Sequence, residues 1–256
     1  PVKALYTHDV FSNRNERVKG AEWLSFSVAQ EEKALRRCEN IFSQRLNAFS
    51  VAQEEKALRR CENIFSIQDE ESLFFSYLFP ESNIVTVYSS FPYIYQPVTK
   101  KKNILFFSGS GRLNTNAIMW FIESVFPLML EKDNSVKLLI GGKICQVLEK
   151  FISHKNIELK GVFDNPSDFY ALGDVVINPV SEGSGLKIKT IEAVSHGKAV
   201  VVDRHSLKGV YSPESFPVFP VSSAEQYADC IILLFEKKKK IKKKKKVLFI
   251  LCSIIK

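Results

Sequence analysis

A chain of 256 residues can bury one sizeable core and, at about 150 residues per domain, holds one to two domains. Its net charge of +8 invites a nucleic-acid reading, but residues 236–256 carry ten lysines against one glutamate, and subtracting that local +9 from +8 leaves −1 on the body. A nearly neutral body lacks the distributed basic face of a nucleic-acid binder, and no run approaches the ~20 apolar residues that span a bilayer.

In chain order, the opening "PVKALYTHDVF" lacks an initiator methionine and enters as if in mid-strand, so a missing N-terminal stretch is expected. Next comes an exact repeat: "FSVAQEEKALRRCENIFS" stands at 26–43 and again at 49–66. Two undrifted copies are unlike a solenoid, whose units vary and number at least about three, and read as an in-frame duplication of 23 residues. Each copy has a helical stripe, Val28, Leu35, Cys38 and Phe42 in the first. At ~100° per residue the offset turns that stripe by roughly 140°, so a single straight helix would aim its copies at different sides.

After the proline-punctuated connector "FPYIYQPVTKKK" the pattern alternates. "NILFFSGS", "VKLLIGG", "IELKGV", "DVVINPV" and "KAVVVD" read as short apolar strands. Between them "TNAIMWFIESVFPLMLEK", "ICQVLEKFIS", "PSDFYALG" and "LKIKTIEAVSHG" read as helices, and a last helix is expected from about Ser222 to Phe235. Apolar strands separated by helices predict a parallel sheet covered on both faces, with the ligand at the carboxyl ends of the strands. The lysine tail and its apolar stub read as an aberrant terminus, or alternatively as a contact for an anionic membrane.

Cys38, Cys61, Cys145, Cys230 and Cys252 form no CxxC pair and have no histidine at metal spacing, which fits a reducing cytosol. Cys145 and Cys230 lie in apolar runs and read as small core residues.

Two turns carry the chemistry. Gly109, Ser110, Gly111 and Arg112 link the first of these strands to a helix, a place where backbone amides and the helix dipole attract phosphate. The dinucleotide GxGxxG spacing fails there, because Asn114 stands at the third glycine. In "SEGSGLKIKTIEA", Gly183 and Gly185 let backbone approach a ligand. Leu186 and Lys187 are expected to begin a helix with Ile188, Ile191 and Val194 toward the sheet. Lys189 and Glu192, three apart, then share a face toward the helix start. A lysine offers a point charge for a diphosphate, and a carboxylate accepts two vicinal hydroxyl protons. Spacing alone fits a helix-surface ion pair without a ligand equally well.

The run "ILFFSGS…NTNAIMWFIESVFPLM…LLIGG…IELKGVFDNPSDFYALGDVVINPVSEGSGLKIKTIEAVSHGKAVVVD" resembles the donor-binding domain of family 4 glycosyltransferases of the GT-B fold. "YTHDVFSNRNERVKG" and "AEWLSFSVAQEEKALRRCENIFSIQDEE" are similar to the close of the acceptor-side domain in that group. The resemblance implies an α/β fold: a Rossmann-like doubly wound parallel sheet over 99–235, preceded at 1–98 by a partial, mostly helical remnant of the N-terminal domain. Residues 236–256 form the tail. It implies a retaining, metal-independent sugar transfer from a nucleotide diphosphate sugar to a polysaccharide, lipid or protein glycan, with no cofactor. The sequence agrees on one point, since no Asp-x-Asp metal motif occurs.

By the same resemblance Glu192 would take ribose hydroxyls, and the turn Gly183, Ser184, Gly185 and Leu186 would offer amides to the diphosphate. Lys189 would neutralise leaving-group charge, with Arg112 as second cation. Many relatives hold a glutamate eight positions before the ribose acid. Ser184 stands there and Glu182 lies two earlier, so Glu182 is either sugar-facing or a solvated loop acid. Val162 and Phe163 match where relatives hold the base, and His8 matches the histidine that approaches the donor sugar from the opposite domain. His196 reads as a helix C-terminal residue favoured by the dipole. The expected setting is cytoplasmic, or peripheral to the inner face of a membrane. Two alternatives are a catalytically incompetent fragment that only binds nucleotide sugar, and a nucleotide-sugar epimerase of the same fold.

Overall fold

The computed structural model describes residues 56, 58–89, 91–99, 101–183, 186–210 and 212–236, and the backbone of 4–6. His8, the first repeat copy, Ser184, Gly185 and the lysine tail lie outside the described residues. Two compact units result. One is built on residues up to Ser89 with Glu182–Leu186 and Lys208–Tyr211; the other on Ser90–Ser181, Lys187–Leu207 and residues from Ser212 on.

In the first unit three parallel strands, β1 (Ala4–Tyr6), β2 (Asn63–Ser66) and β3 (Asn83–Thr86), form one sheet in that order. Parallel neighbours need a crossover, and α1 (Asp69–Leu78) supplies it between β2 and β3. Its first turn carries Asp69, Glu70 and Glu71, signs that suit the positive helix end. Leu58, Ile64, Phe75 and Phe79 close the core beneath it. The helical reading of the repeat therefore stops short: the last four residues of the second copy are strand β2, because Ile64 buries between two parallel neighbours.

The second unit is a six-stranded, wholly parallel sheet. Its elements run β4 (Asn103–Phe107), α2 (Arg112–Trp120), α3 (Phe126–Lys132), β5 (Lys137–Gly141), α4 (Ile144–Leu148), β6 (Ile157–Gly161), α5 (Pro166–Tyr170), β7 (Val175–Asn178), α6 (Ile188–Ser195), β8 (Ala199–Asp203), β9 (Val218–Val221) and α7 (Ala224–Glu236). Strand order is β6-β5-β4-β7-β8-β9. Successive side chains point to opposite faces, and both faces are covered. Ile104, Phe106, Val175, Ile177, Ala199 and Val201 join the core under α2, α3, α4 and α7. Leu105, Leu139, Val176, Val200 and Val202 join the other core, under α5 and α6.

Three departures from the sequence reading have plain causes. The helix expected to run unbroken through 115–132 starts at Arg112 and widens to a π-turn over Phe121–Val125, where the Phe126 amide bonds to the carbonyl of Phe121. Pro127 has no N–H to give and its ring crowds the preceding turn, so the ladder opens just before it. Strand β9 is not among the strands read from the sequence; as an edge strand it tolerates Pro220, which pairs with Val202. Helix α6 begins at Ile188 rather than at Leu186, and its buried side is Thr190, Ala193 and Val194, with Ile188 and Ile191 only half-buried.

Order reverses between β4 and β7: β4 leads away to β5 on one side and β7 to β8 on the other. Loops leaving two adjacent strand ends thus diverge and leave a crevice at their carboxyl ends. The floor is tight. Gly142, just past β5, has φ of +98°, and a Cβ there would sit 2.1 Å from the carbonyl oxygen of Ser108.

Candidate functional site

At the switch point β4 ends in Phe107, whose ring stacks on Phe169 of α5 with centroids 4.9 Å apart. Lys189, in the first turn of α6, lays its ammonium 4.7 Å from the centroid of Phe107. The same ammonium reaches Glu192 Oε2 at 2.7 Å. The pair is not the two-sided surface pair that spacing alone allowed: Lys189 is half exposed, whereas the Glu192 side chain is only 9% accessible. A buried carboxylate needs compensating donors, and two point at one of its oxygens. The second is the hydroxyl of Tyr170, 3.4 Å from Oε2. Both donors converge on Oε2.

Behind the carboxylate, α5 and the end of α6 lock together. Asn165 caps α5 by accepting the amide of Ser167 at 3.0 Å, and Pro166 fits the first turn, where no amide partner is required. Ser167 lies 3.0 Å from His196 Nε2, and His196 Nδ1 lies 2.8 Å from the carbonyl oxygen of Glu192. A carbonyl can only accept, so Nδ1 carries the proton and Nε2 accepts from the serine hydroxyl. The imidazole packs 4.4 Å from the ring of Tyr170. Burial first, and then the nearby charge of Glu192 and the bond to it, hold the Tyr170 hydroxyl well above its ordinary pKa, so it stays a donor. His196 is indeed the residue that caps α6, but it is buried and structural on two sides.

The other candidates fall as follows. Gly109, Ser110 and Gly111 are an exposed turn after β4, and Arg112 is exposed at the start of α2, whose first turn holds no acid. Val162 is 59% exposed just past β6, and Phe163 packs edge-on against Phe169 at 5.3 Å. Gly183, at φ of +91°, adopts a backbone that side chains other than glycine rarely take. Gly183 and Leu186 are buried and Glu182 is exposed, and these three belong to the first unit by their packing. What the sequence did not single out are Phe107, Ser167 and Tyr170. Each reads as an ordinary core or helix residue, and only the fold brings them to the Lys189 and Glu192 pair.

An open parallel sheet with a cation and a buried acid at its switch point defines a Rossmann-like ligand-binding unit. Residues 101–237, more than half of the chain, match the family described as glycosyl transferases group 1. The chain belongs to that family. Over 97 residues it is 28% identical to a Klebsiella pneumoniae protein described as an uncharacterized 44.6 kDa protein in the cps region, covering 34% of this chain and 25% of that one. Among solved structures, a variant of S. aureus TarM in complex with fondaparinux, alpha-GlcNAc-glycerol and UDP superposes with a TM-score of 0.61 at 21% identity, over 82% of this chain and 45% of that one. Anabaena HepE in complex with UDP and glucose gives a TM-score of 0.62 at 12% identity, over 98% and 66%. These likenesses confirm the GT-B type of fold. The chain spans under half the length of TarM and a quarter of the Klebsiella protein.

Proposed function

We propose that the chain binds a nucleotide diphosphate sugar at the carboxyl ends of β4 and β7 and transfers the sugar, with retention and without a metal, to a glycan or lipid acceptor. The observation that carries this is the Lys189 and Glu192 pair: a half-exposed cation and a buried acid on one helix face, at the switch point of a doubly wound sheet. Membership of the glycosyl transferases group 1 family and the UDP found in complexes of TarM and HepE support a nucleotide donor.

In this reading Glu192 Oε1 accepts ribose hydroxyl protons. Lys189 swings from Glu192 toward the diphosphate and stabilises the negative charge that grows on it as the glycosidic bond breaks. Arg112 and the amides of Gly109–Gly111 share that charge, and Val162 and Phe163 flank the base. The lysine tail serves as a peripheral contact with an anionic membrane.

Calorimetric titration of the full chain with UDP, GDP and ADP tests the donor site. One of them is expected to bind saturably, and Glu192→Ala to weaken that binding by about tenfold or more, the loss of a charged hydrogen-bonding pair. Absence of saturable binding for all three, or an unchanged affinity in Glu192→Ala, overturns the reading. Where the matching nucleotide sugar turns over, the rate is expected to survive EDTA, and the anomeric configuration of the product, read by NMR, is expected to match the donor.

A further inference from the structure

We infer that Tyr170 is a positioning residue for Glu192: its hydroxyl keeps the carboxylate aimed at a ribose when Lys189 leaves it for a diphosphate. The inference rests on the nucleotide reading above.

Lys189 and Tyr170 converge on the same oxygen, Oε2, at 2.7 and 3.4 Å. The two donors differ in freedom. Lys189 ends a flexible four-carbon stem and is half exposed, so a diphosphate carrying more charge than one carboxylate draws it away. Tyr170 cannot follow. Its side chain is fully buried, and its ring is fixed edge-on to Phe107 at 5.8 Å and Phe169 at 6.2 Å, and packs against His196 at 4.4 Å. Its hydroxyl stays protonated and so faces the carboxylate only as a donor.

At 3.4 Å the bond is long for O–H···O, as expected while the stronger cation holds the oxygen. With the cation gone, Glu192 would be a buried carboxylate lacking compensation on Oε2, unless the tyrosine closes in. The same helix α5 holds the other end of this residue, because Ser167 fixes His196, which donates to the Glu192 carbonyl. Backbone and carboxylate of Glu192 are therefore both referenced to α5, which leaves Oε1 presented in one direction. Tyr170 itself is too deep to touch a ligand, so its whole effect passes through Glu192.

The test uses the full chain and whichever of UDP, GDP and ADP binds, compared with its 2′-deoxy form. Wild type is expected to prefer the ribonucleotide, and Glu192→Ala to erase that preference. Tyr170→Phe keeps the ring contacts and removes only the donor. It is expected to cut ribonucleotide affinity by a factor of about three to ten while moving deoxynucleotide affinity by less than about twofold. Equal losses for both nucleotides, or none for either, overturn the inference and leave Tyr170 as packing. If wild type binds none of the nucleotides, or Glu192→Ala keeps the preference, the nucleotide reading fails and this inference with it. Should Tyr170→Phe melt far below wild type, 3-fluorotyrosine at position 170 retains ring and hydroxyl but makes a stronger donor. The preference for ribose is then expected to rise, and an unchanged preference overturns the inference.

Discussion

At the scale of single residues, the site depends on positions whose chemistry is set by what surrounds them. Glu192 and Lys189 are ordinary helix residues by sequence; burial of one and exposure of the other turn them into an acid held from behind and a half-exposed cation paired to it. Gly142 shows the same dependence in the backbone. At φ of +98° with the Ser108 carbonyl beneath it, alanine meets both left-handed strain and a clash with main chain that cannot rotate away. Gly142→Ala is expected to cost about 2–4 kcal/mol, measured by urea denaturation, and to weaken nucleotide binding through the neighbouring end of β4. Of the two cysteines read as core, Cys145 is buried and Cys230 is half-buried against the same core; burial pushes the Cys145 thiol up, and that of Cys230 up to about 11, away from nucleophilic use.

At the scale of elements, α3 is tied to the start of β4 by Asp133, which pairs with Lys102 and accepts from both the hydroxyl and the amide of Ser135. The Lys102 bond first, then those of Ser135, hold the Asp133 carboxyl down at about 2. A carboxyl depressed in the folded state stabilises the fold above its unfolded pKa near 3.8 and loses that contribution as pH falls to about 2. Because Lys102 is half exposed, screening keeps the effect below about 1 kcal/mol. Asp133→Asn is therefore expected to be slightly less stable than wild type at pH 7, with the gap closing between about pH 4 and pH 2; a gap that widens on acidification contradicts the assignment. Elements also mark where sequence patterns stopped being legible. Strand periodicity found β4 to β8 because short stretches that are apolar or alternate apolar with polar, set between helices, read as strands. It missed β9, whose Pro220 is tolerated because an edge strand leaves one side unpaired. It also extended the helix of the repeat through residues that β1 and β3 draw into a sheet.

At the scale of the whole molecule, charge is divided between a body near neutrality and a terminal run of lysines. At about 1 kcal/mol per lysine near an anionic surface, that run would dominate membrane association. Removing residues 237–256 is expected to abolish co-sedimentation with phosphatidylserine vesicles, and raising salt is expected to do the same to the intact chain; binding that persists without the tail refutes the membrane contact. The sequence by itself determined the class of fold, because strand and helix periodicities are local and survive without a partner. It also determined the spacing that puts Lys189 and Glu192 on one helix face, since three residues of helix fix that geometry. The tertiary structure alone decided which member of the pair is buried, that Phe107 lies under the ammonium, and that Tyr170 and His196 hold the acid from behind. Those contacts join residues far apart in the chain, and their energies come from burial and from donors meeting acceptors across elements, which no local pattern encodes.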